Sequence, residues 1–333
     1  MKKVLSLILA LAMVFALAAC GEKQPSNDGN TDGDKSARGN VIMTFGTADT
    51  GGSMYPAGAA VSQVWTNNVE GVKCNTQTST GSFQNCQDVS TGEVDVAVAT
   101  SDVVLNAYNG TGKFADIGKL DNLRVIGAVY TSVLSGVALK SSGLTYIHEL
   151  LGKRVAVGPA ASATENATLA AFDVMGIDSS NTSLENLGLG DGADSVGDGI
   201  LDAAFGFAGL PIGGQLNLAA TKEIQVLDMT QEEIDKVLAG NAAYIQTKIP
   251  AGTYTGQDND ANTFGVKCLI IVTADMDADL VYDLCKAMNE HTEEMAAGNA
   301  LLKDMTDPSF LCTQMPIPLH DGAQKYYSEQ GLI

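Results

Sequence analysis

Residues 41–69 read VIMTFGTADTGGSMYPAGAAVSQVWTNNV and contain the three parts of one α/β unit in order. An apolar run of β-type residues, Val41–Phe45, ends at Gly46. A turn of small and hydroxyl-bearing residues follows, and then the segment AAVSQVWTNNV, whose apolar residues have helical spacing. The stretch therefore predicts a strand, a small polar turn and a helix.

The same order recurs along the chain, and alternating strands and helices predict a parallel or mixed sheet with helices on its faces. The fold class predicted from this pattern is α/β. The expected strands are Lys73–Thr78, Val94–Ala99, Leu123–Val129, Gly136–Leu139, Val155–Val157, Ala203–Gly206 and Thr263–Val272. The expected helices include Phe83–Thr91, Ser162–Val174, Leu280–Met295 and His320–Gln330.

The first residues of the chain predict a secretory signal peptide. Lys2 and Lys3 precede the short apolar run Val4–Ala19, which ends at Cys20. A cysteine at that position resembles the lipobox of bacterial lipoproteins, in which the cysteine is lipidated and becomes the new N-terminus. A membrane-spanning helix is disfavoured because a span needs about 20 apolar residues. We therefore expect residues 1–20 to be a lipoprotein signal peptide and the mature protein to be extracytoplasmic and lipid-anchored to the cell membrane.

Composition separates a tether from a folded region. Residues 21–40 carry no large apolar side chain and are rich in Gly, Asn, Asp and Ser, which is typical of a flexible tether. The remaining chain, 41–333, is long enough for two lobes. The formal net charge of −20 excludes a basic footprint for nucleic acid and disfavours binding to anionic lipid headgroups. The membrane contact is thus expected from the lipid alone.

The inventory of reactive residues argues against an enzyme and against a metal or cofactor. The chain has three histidines, and it lacks the motifs of P-loops, dinucleotide sites, zinc proteases and serine hydrolases. Beyond Cys20, the cysteines show no spacing typical of zinc ligands. A disulfide between Cys74 and Cys86 is one interpretation, and small buried thiols are the preferred one. The other cysteines are Cys268, Cys285 and Cys312.

Three turns share a design that predicts a binding site. Thr47–Tyr55, Thr78–Ser82 and Gly158–Thr164 each lead from a predicted strand into a predicted helix through Gly, Ser and Thr. Helix N-termini present unpaired N–H groups and partial positive charge, so several of them in one cleft favour a small anion such as a carboxylate. Ordinary helix capping is the better explanation of any one of these turns, and the three turns together favour a site. Arg124 and Arg154 each precede a strand, so no arginine is expected at the ligand edge.

The chain resembles the TAXI-type solute receptors of TRAP transporters, which are tripartite and ATP-independent, and the likeness covers almost everything after the tether. The motifs that carry it begin with Gly46-Thr47 and Thr50-Gly51-Gly52-Ser53-Met54-Tyr55-Pro56. They continue with Ser79-Thr80-Gly81-Ser82-Phe83-Gln84-Asn85, Gly92-Glu93-Val94-Asp95, Ser101-Asp102, Leu150-Leu151-Gly152-Lys153-Arg154-Val155-Ala156-Val157-Gly158-Pro159 and Ile249-Pro250-Ala251-Gly252-Thr253-Tyr254-Thr255-Gly256. The chain departs from the pattern at Ala163, where glycine is usual, and at Asp49, where a small residue is common.

The resemblance implies a two-lobed fold like that of type II periplasmic binding proteins, with the ligand cleft between the lobes. Lobe one is expected at 41–132 and 263–333, and lobe two at 133–262. The implied function is to bind a small organic acid or an amino acid such as glutamate and to deliver it to TRAP-type permease subunits, without catalysis. The expected ligand-binding residues are Thr50, Gly51, Ser53, Tyr55, Thr80, Gly81, Ser82, Ser101, Tyr130, Ser162, Thr164 and Phe205.

Two other functions compete with this interpretation. A receptor of the same architecture can serve an ATP-driven importer or present a ligand to a sensor, and the residues alone do not separate these roles from the first. A secreted, lipid-anchored hydrolase is disfavoured by the scarcity of histidine and the lack of catalytic motifs.

Asp49 either repels an acidic ligand or pairs with a substrate ammonium group.

Overall fold

The computed structural model describes residues 39–50 and 52–333. The predicted signal peptide with Cys20, most of the predicted tether, and Gly51 lie outside the described residues. The strands are β1 Val41–Gly46, β2 Val72–Gln77, β3 Val96–Thr100, β4 Leu123–Leu139, β5 Arg154–Ala156, β6 Ser183–Glu185, β7 Ala203–Ala208, β8 Ile224–Val226, β9 Ile245–Ile249 and β10 Ala261–Thr273.

Helices lie between most of the strands and follow the last one. They are α1 Met54–Asn68, α2 Ser82–Thr91, α3 Ser101–Asn109, α4 Ala163–Val174, α5 Leu189–Gly197, α6 Gly213–Thr221, α7 Gln231–Gly240, α8 Ala278–Glu290, α9 Thr292–Gly298, α10 Pro308–Cys312 and α11 Asp321–Glu329. Short 3-10 turns occur at Gly112–Phe114, Lys140–Ser142, Ile147–Leu150 and Ala300–Thr306.

The strands form one mixed sheet in the order β2-β1-β3-β10-β4-β7-β5-β6, with β8 on β4 and β9 on β10. The trio β1, β2 and β3 is parallel, and so is the trio β5, β6 and β7. The long strands β4 and β10 run antiparallel to each other between the trios. Because parallel strands end at the same edge, the strand-to-helix turns of each trio gather together.

The long strands belong to both groups of strands. In β10, residues 268–271 pair with β3, whereas residues 261–265 pair with β9. In β4, residues 133–138 pair with β7. We call β1, β2 and β3 with their part of β10 the first strand group, and β5, β6 and β7 with their part of β4 the second strand group.

Strand β4 differs from the sequence prediction, which divided it into Leu123–Val129 and Gly136–Leu139. The polar residues between those runs are paired within the sheet rather than turned out of it. Thr131 and Ser132 are in register with Lys267 and Val266 of β10. The Ser135 hydroxyl donates to the Gln215 side-chain oxygen at 2.6 Å. A strand continues through buried hydroxyls when each hydroxyl finds a partner.

Helix α8 is shorter than the predicted helix Leu280–Met295. It begins after Asp277, whose carboxylate accepts from the Leu280 N–H at 2.7 Å. Its buried stripe is Leu280, Leu284 and Met288, as the helical spacing predicts. His291 has φ −116° and ψ 17°, which ends α8 and starts α9.

Trp65 joins α1 to the helical layer behind the first strand group. Its side chain is fully buried, its ring stacks on Phe45 with centroids 5.4 Å apart, and its indole N–H donates to the Leu284 carbonyl at 3.0 Å. Met43, Val61 and the helix α8 residues belong to the same apolar cluster. This cluster fixes where α1 begins, and therefore where its first turn points.

Candidate functional site

A cavity of about 60 Å³ lies where the turns of the two strand groups meet. That volume accommodates several water molecules or a small solute. The residues lining the cavity are Ala48, Asp49, Gly52, Ser53, Met54, Thr80, Gly81, Ser82, Tyr130, Pro159, Ser162, Ala163, Thr164, Leu189, Phe207 and Ala208.

The first turns of four helices contribute to this lining. Met54 opens α1, Ser82 opens α2, Ala163 opens α4 and Leu189 opens α5. Each first turn leaves backbone N–H groups without a helical acceptor, and each carries about half a positive charge from the helix dipole. These ends therefore make the cavity favourable for an anionic group, at about 0.3–1 kcal/mol per helix end.

The α4 wall is built by Ser162 and Thr164. The Ser162 hydroxyl caps α4 by accepting from the Glu165 N–H at 3.2 Å. The Thr164 hydroxyl accepts from the Phe207 N–H at 3.1 Å, which ties the helix to the end of β7. Both side chains are nearly buried, so the hydroxyls face the cavity from fixed positions.

The α2 wall is held by a local hydrogen-bond network. The Thr100 N–H donates to the Ser82 hydroxyl at 3.1 Å, and the Thr80 hydroxyl donates to the Gln84 side-chain oxygen at 3.0 Å. Gly81 has φ +115° and ψ −158°, a backbone region that is essentially restricted to glycine. The glycine thus permits the backbone turn that leads into α2.

A direct contact crosses the cavity between the two groups of turns. The Ser53 hydroxyl, before α1, donates to the Gly209 carbonyl after β7 at 3.2 Å. Met54, Tyr130 and Phe207 supply apolar and aromatic surface around it. A cavity with apolar walls and a few fixed polar groups is the usual form of a small-molecule site.

The charge of the lining is unusual for an anion site. Among the described residues of the lining, Asp49 alone is charged, and it is exposed. Arg154 pairs with Asp202 at 2.9 Å, and Arg124 donates to the Asp121 and Leu123 carbonyls. Neither Arg124 nor Arg154 belongs to the lining. An anion in this cavity is therefore held by N–H and hydroxyl groups.

The structure brings together seven of the predicted site residues. Ser53, Thr80, Gly81, Ser82, Tyr130, Ser162 and Thr164 all line the cavity, and their contact with a ligand stays a prediction. Gly51 lies outside the described residues. The other predicted residues, Thr50, Tyr55, Ser101 and Phe205, are not part of the lining.

Those four positions are displaced for local reasons. Thr50 is exposed in the turn before α1, and Tyr55 lies in the first turn of α1 beside the lining residue Met54. Ser101 is buried at the start of α3, behind the α2 turn. Phe205 faces the core against Phe172, with ring centroids 5.4 Å apart. Phe207 lies on the same face of β7 as Phe205 but nearer the carboxyl end of the strand. It therefore lines the cavity where Phe205 was predicted to do so.

Sequence reasoning missed the α5 contribution. The run Gly188-Leu189-Gly190 carries no dinucleotide fingerprint, and its glycines are typical of a loop. In the structure Gly188 precedes the first residue of α5, after the three-residue strand β6. The sequence does contain one signal for α5, a glycine directly before an amphipathic segment. Strand β6 is too short to be recognised in the sequence, so the strand–turn–helix pattern is not evident there.

Other features of the described residues bear on the alternatives. All five cysteines from Cys74 to Cys312 are free and buried. Within 39–50 and 52–333 no group of His, Cys, Asp and Glu side chains is arranged to hold a metal ion. In that part of the chain, no helix has the length and apolar character needed to cross a bilayer.

Comparisons with known proteins agree on the fold. Residues 45–331 match the NMT1-like family. PhnD1 from Prochlorococcus marinus, solved in complex with methylphosphonate, superposes with a TM-score of 0.53 at 11% identity, over 88% of this chain and 99% of that one. The alkanesulfonate-binding protein SsuA from Xanthomonas axonopodis pv. citri, bound to MOPS, superposes with a TM-score of 0.51 at 14% identity, over 88% of this chain and 85% of that one. The predicted type II periplasmic-binding-protein fold is confirmed.

Proposed function

Because the chain belongs to the NMT1-like family, with a match over residues 45–331, we propose that it is an extracytoplasmic solute receptor. It binds a small organic acid or an amino acid, such as glutamate, in the cavity between the two strand groups and delivers it to a membrane permease. The observation that carries the proposal is the meeting of the first turns of α1, α2, α4 and α5 at one cavity.

The chemistry of the cavity supports binding without chemical conversion. Ser82, Ser162 and Thr164 offer hydroxyls, and the helix ends offer N–H groups, which together suit a carboxylate, sulfonate or phosphonate. PhnD1 and SsuA were solved with a phosphonate and a sulfonate. The described residues of the lining include no histidine and no nucleophile–base pair.

The long strands support closure around the ligand. Lobe one comprises 41–132 and 263–333, and lobe two comprises 133–262, so β4 and β10 cross from one lobe to the other near both boundaries. Contacts across the cavity, such as Ser53 to Gly209, form when the lobes approach. A ligand that contacts both lobes stabilises the closed arrangement by the free energy of those added contacts.

The sequence motifs support a TRAP-type permease as the partner. The turn Thr50–Pro56 and the segment Leu150–Pro159 carry that likeness. Transport would then use an ion gradient rather than ATP. A receptor for an ATP-driven importer shares the architecture, and uptake into vesicles with and without ATP, in the presence of a sodium gradient, separates the two.

A ligand screen tests the proposal directly. The protein is melted in the presence of amino acids, dicarboxylates, keto acids, alkanesulfonates and alkylphosphonates. A ligand that binds only the folded state stabilises it by about 2.7 kcal/mol at a hundredfold excess over Kd. A shift with one anion class supports the receptor. No shift with any of these solutes, together with turnover of a chromogenic ester, would overturn it.

Ser162→Ala should weaken binding of the solute that the screen identifies. The variant loses a hydroxyl of the cavity wall and a helix cap. Loss of the cap alone costs about 1 kcal/mol of stability. Loss of a hydrogen bond to a charged ligand costs about 1.5–3 kcal/mol, which is about a tenfold to hundredfold rise in Kd by calorimetry.

Thr230→Ala is the matched control for this prediction. Thr230 caps α7 by accepting from the Glu233 N–H at 3.3 Å and is not part of the cavity lining. The Thr230→Ala variant should lose about as much free energy of unfolding as Ser162→Ala and should keep its affinity for the solute. Equal affinities of the two variants would contradict the placement of the ligand against α4.

Cys20→Ser should release the protein from the membrane. The proposed lipid on Cys20 is the anchor, since an acidic chain gains nothing from anionic headgroups. Cell fractionation and mass spectrometry of the mature N-terminus measure the effect. Membrane retention of Cys20→Ser, with an unmodified N-terminus in the parent protein, would contradict the lipoprotein assignment.

A further inference from the structure

Asp102 is a fully buried carboxyl that the cavity lining does not include. It is the second residue of α3, directly behind the α2 turn that forms one wall. The Ser101-Asp102 pair stands out in the sequence after β3, and the proposed ligand contacts do not use Asp102. Its position between two walls of the cavity suggests another role.

Asp102 joins parts of the chain that belong to different lobes. Its Oδ2 accepts from the Asn166 side-chain N–H at 2.8 Å and from the Tyr244 hydroxyl at 3.3 Å. Asn166 lies on α4, and its backbone N–H donates to the Ser162 carbonyl at 3.1 Å. Asp102 therefore docks the helix whose first turn carries Ser162 and Thr164.

The second carboxyl oxygen is in a different environment. Oδ1 of Asp102 is buried and has no hydrogen-bond partner among the described residues. Burial of the carboxyl raises the pKa of Asp102 and favours the neutral form. It outweighs the hydrogen bonds from Thr100, Val103, Asn166 and Tyr244, which lower the pKa. The titratable groups that interact with it are Cys86 on α2, Cys268 on β10 and Tyr244, all of which stay uncharged near neutral pH.

A surface ion pair bridges the same lobes but forms no hydrogen bond to the buried carboxyl of Asp102. Lys113, beyond α3, pairs with Glu165 on α4, and both side chains retain contact with water. The pair is therefore a screened contact, worth little by itself. The buried hydrogen bond from Asn166 to Asp102 is less exposed to this screening.

We infer that Asp102 is a positioning residue whose burial between α3 and α4 couples closure of the lobes to uptake of a proton. This role rests on the proposed solute-binding function. In the open arrangement the carboxyl meets water. In the closed arrangement it holds the Ser162 end of α4 at the cavity through Asn166 and Tyr244. The proton enters from solvent and resides on the carboxyl, and no bond to the ligand is involved.

The direction of the pH effect follows from the two environments. In water the pKa of an aspartic acid is about 3.9. Burial raises the pKa of Asp102 in the arrangement described here. At a pH between the pKa of the open form and the raised pKa of the closed form, closure takes up a proton. The closed form therefore gains stability as pH falls, and the gain is complete below the ordinary pKa of an aspartic acid. The ratio of closed to open protein changes by at most about tenfold per pH unit.

Small-angle X-ray scattering of the ligand-free protein between pH 7.5 and 4.5 tests this coupling. The radius of gyration of the parent protein should fall as pH falls. Asp102→Asn mimics the neutral carboxyl, so its radius should be small and independent of pH. The exposed Asp116→Asn is the control for loss of one charge and should follow the parent protein.

Tyr244→Phe provides a second, independent variant. It removes one donor to Asp102 and retains the ring that packs on Phe264 with centroids 4.8 Å apart. In the proposal this hydrogen bond forms only in the closed arrangement, so its loss weakens the closed form at every pH and the variant should close at lower pH than the parent protein. A pH profile of Asp102→Asn that matches the parent, or a Tyr244→Phe profile that does not move, overturns the inference. Because no ligand is added, this outcome is independent of the ligand screen.

Discussion

Trp65→Ala should lower the free energy of unfolding by about 3–5 kcal/mol, the range for a large aromatic side chain removed from a packed core. Trp65 is fully buried, stacks on Phe45 and donates to the Leu284 carbonyl. Its removal opens a cavity between α1 and α8, and neither helix is free to move into it because both pack on the same sheet. A folded domain has only about 5–15 kcal/mol of stability in total.

Chemical denaturation followed by circular dichroism measures this change. Fluorescence is unsuitable, because the chain has a single tryptophan. Trp65→Phe is the matched control, since it keeps an aromatic ring against Phe45 and should lose less stability than the alanine variant. A loss below about 1 kcal/mol for Trp65→Ala would mean that the α1–α8 contact is not packed as described.

Gly209→Ala should oppose closure over the cavity by about 1–3 kcal/mol, the usual cost of overpacking a dense site. A Cβ atom on Gly209 would lie 1.8 Å from the Leu301 Cδ1 atom and 3.1 Å from the Tyr130 Cδ2 atom. The Gly209 carbonyl also accepts from the Ser53 hydroxyl. An added methyl therefore displaces the Leu301 side chain and crowds the Tyr130 ring, which lines the cavity, and so weakens ligand binding.

A double-mutant cycle isolates the steric cause. Leu301→Ala removes the atoms that the new methyl would meet, so Gly209→Ala combined with Leu301→Ala should recover much of the affinity lost in Gly209→Ala. Gly240→Ala is the control, since a Cβ there meets nothing within 4 Å. Calorimetric titration with the solute from the screen, and scattering without it, measure both effects. Purely additive losses would contradict the contact between Gly209 and Leu301.

The sequence alone predicts the site to the level of its turns. The turns Thr78–Ser82 and Gly158–Thr164 were identified because glycine and hydroxyl residues follow an apolar run, and both reach the cavity. That pattern is local, and helix capping obeys local rules. The individual side chains are less predictable: Phe205 and Phe207 lie on the same face of β7, and only the end of the strand determines which one meets the cavity.

The long strand β4 was the least predictable part of the fold. Residues 130–135 contain Tyr130, Thr131, Ser132 and Ser135, which interrupt the apolar pattern and suggested a break between two strands. Partners far away in sequence, such as Gln215 and β10, satisfy their hydroxyls and keep β4 continuous. Single-sequence periodicity carries no information about such partners.

The sequence by itself determined that this protein is α/β, acidic, and built from strand–turn–helix units whose turns suit an anion, because composition, periodicity and capping act over a few residues. Only the tertiary structure decided which turns share one cavity, that α5 joins them, and that Asp102 is buried against Asn166 and Tyr244. Those facts depend on contacts between segments separated by 64 and 142 residues, and such contacts exist only when the chain is packed.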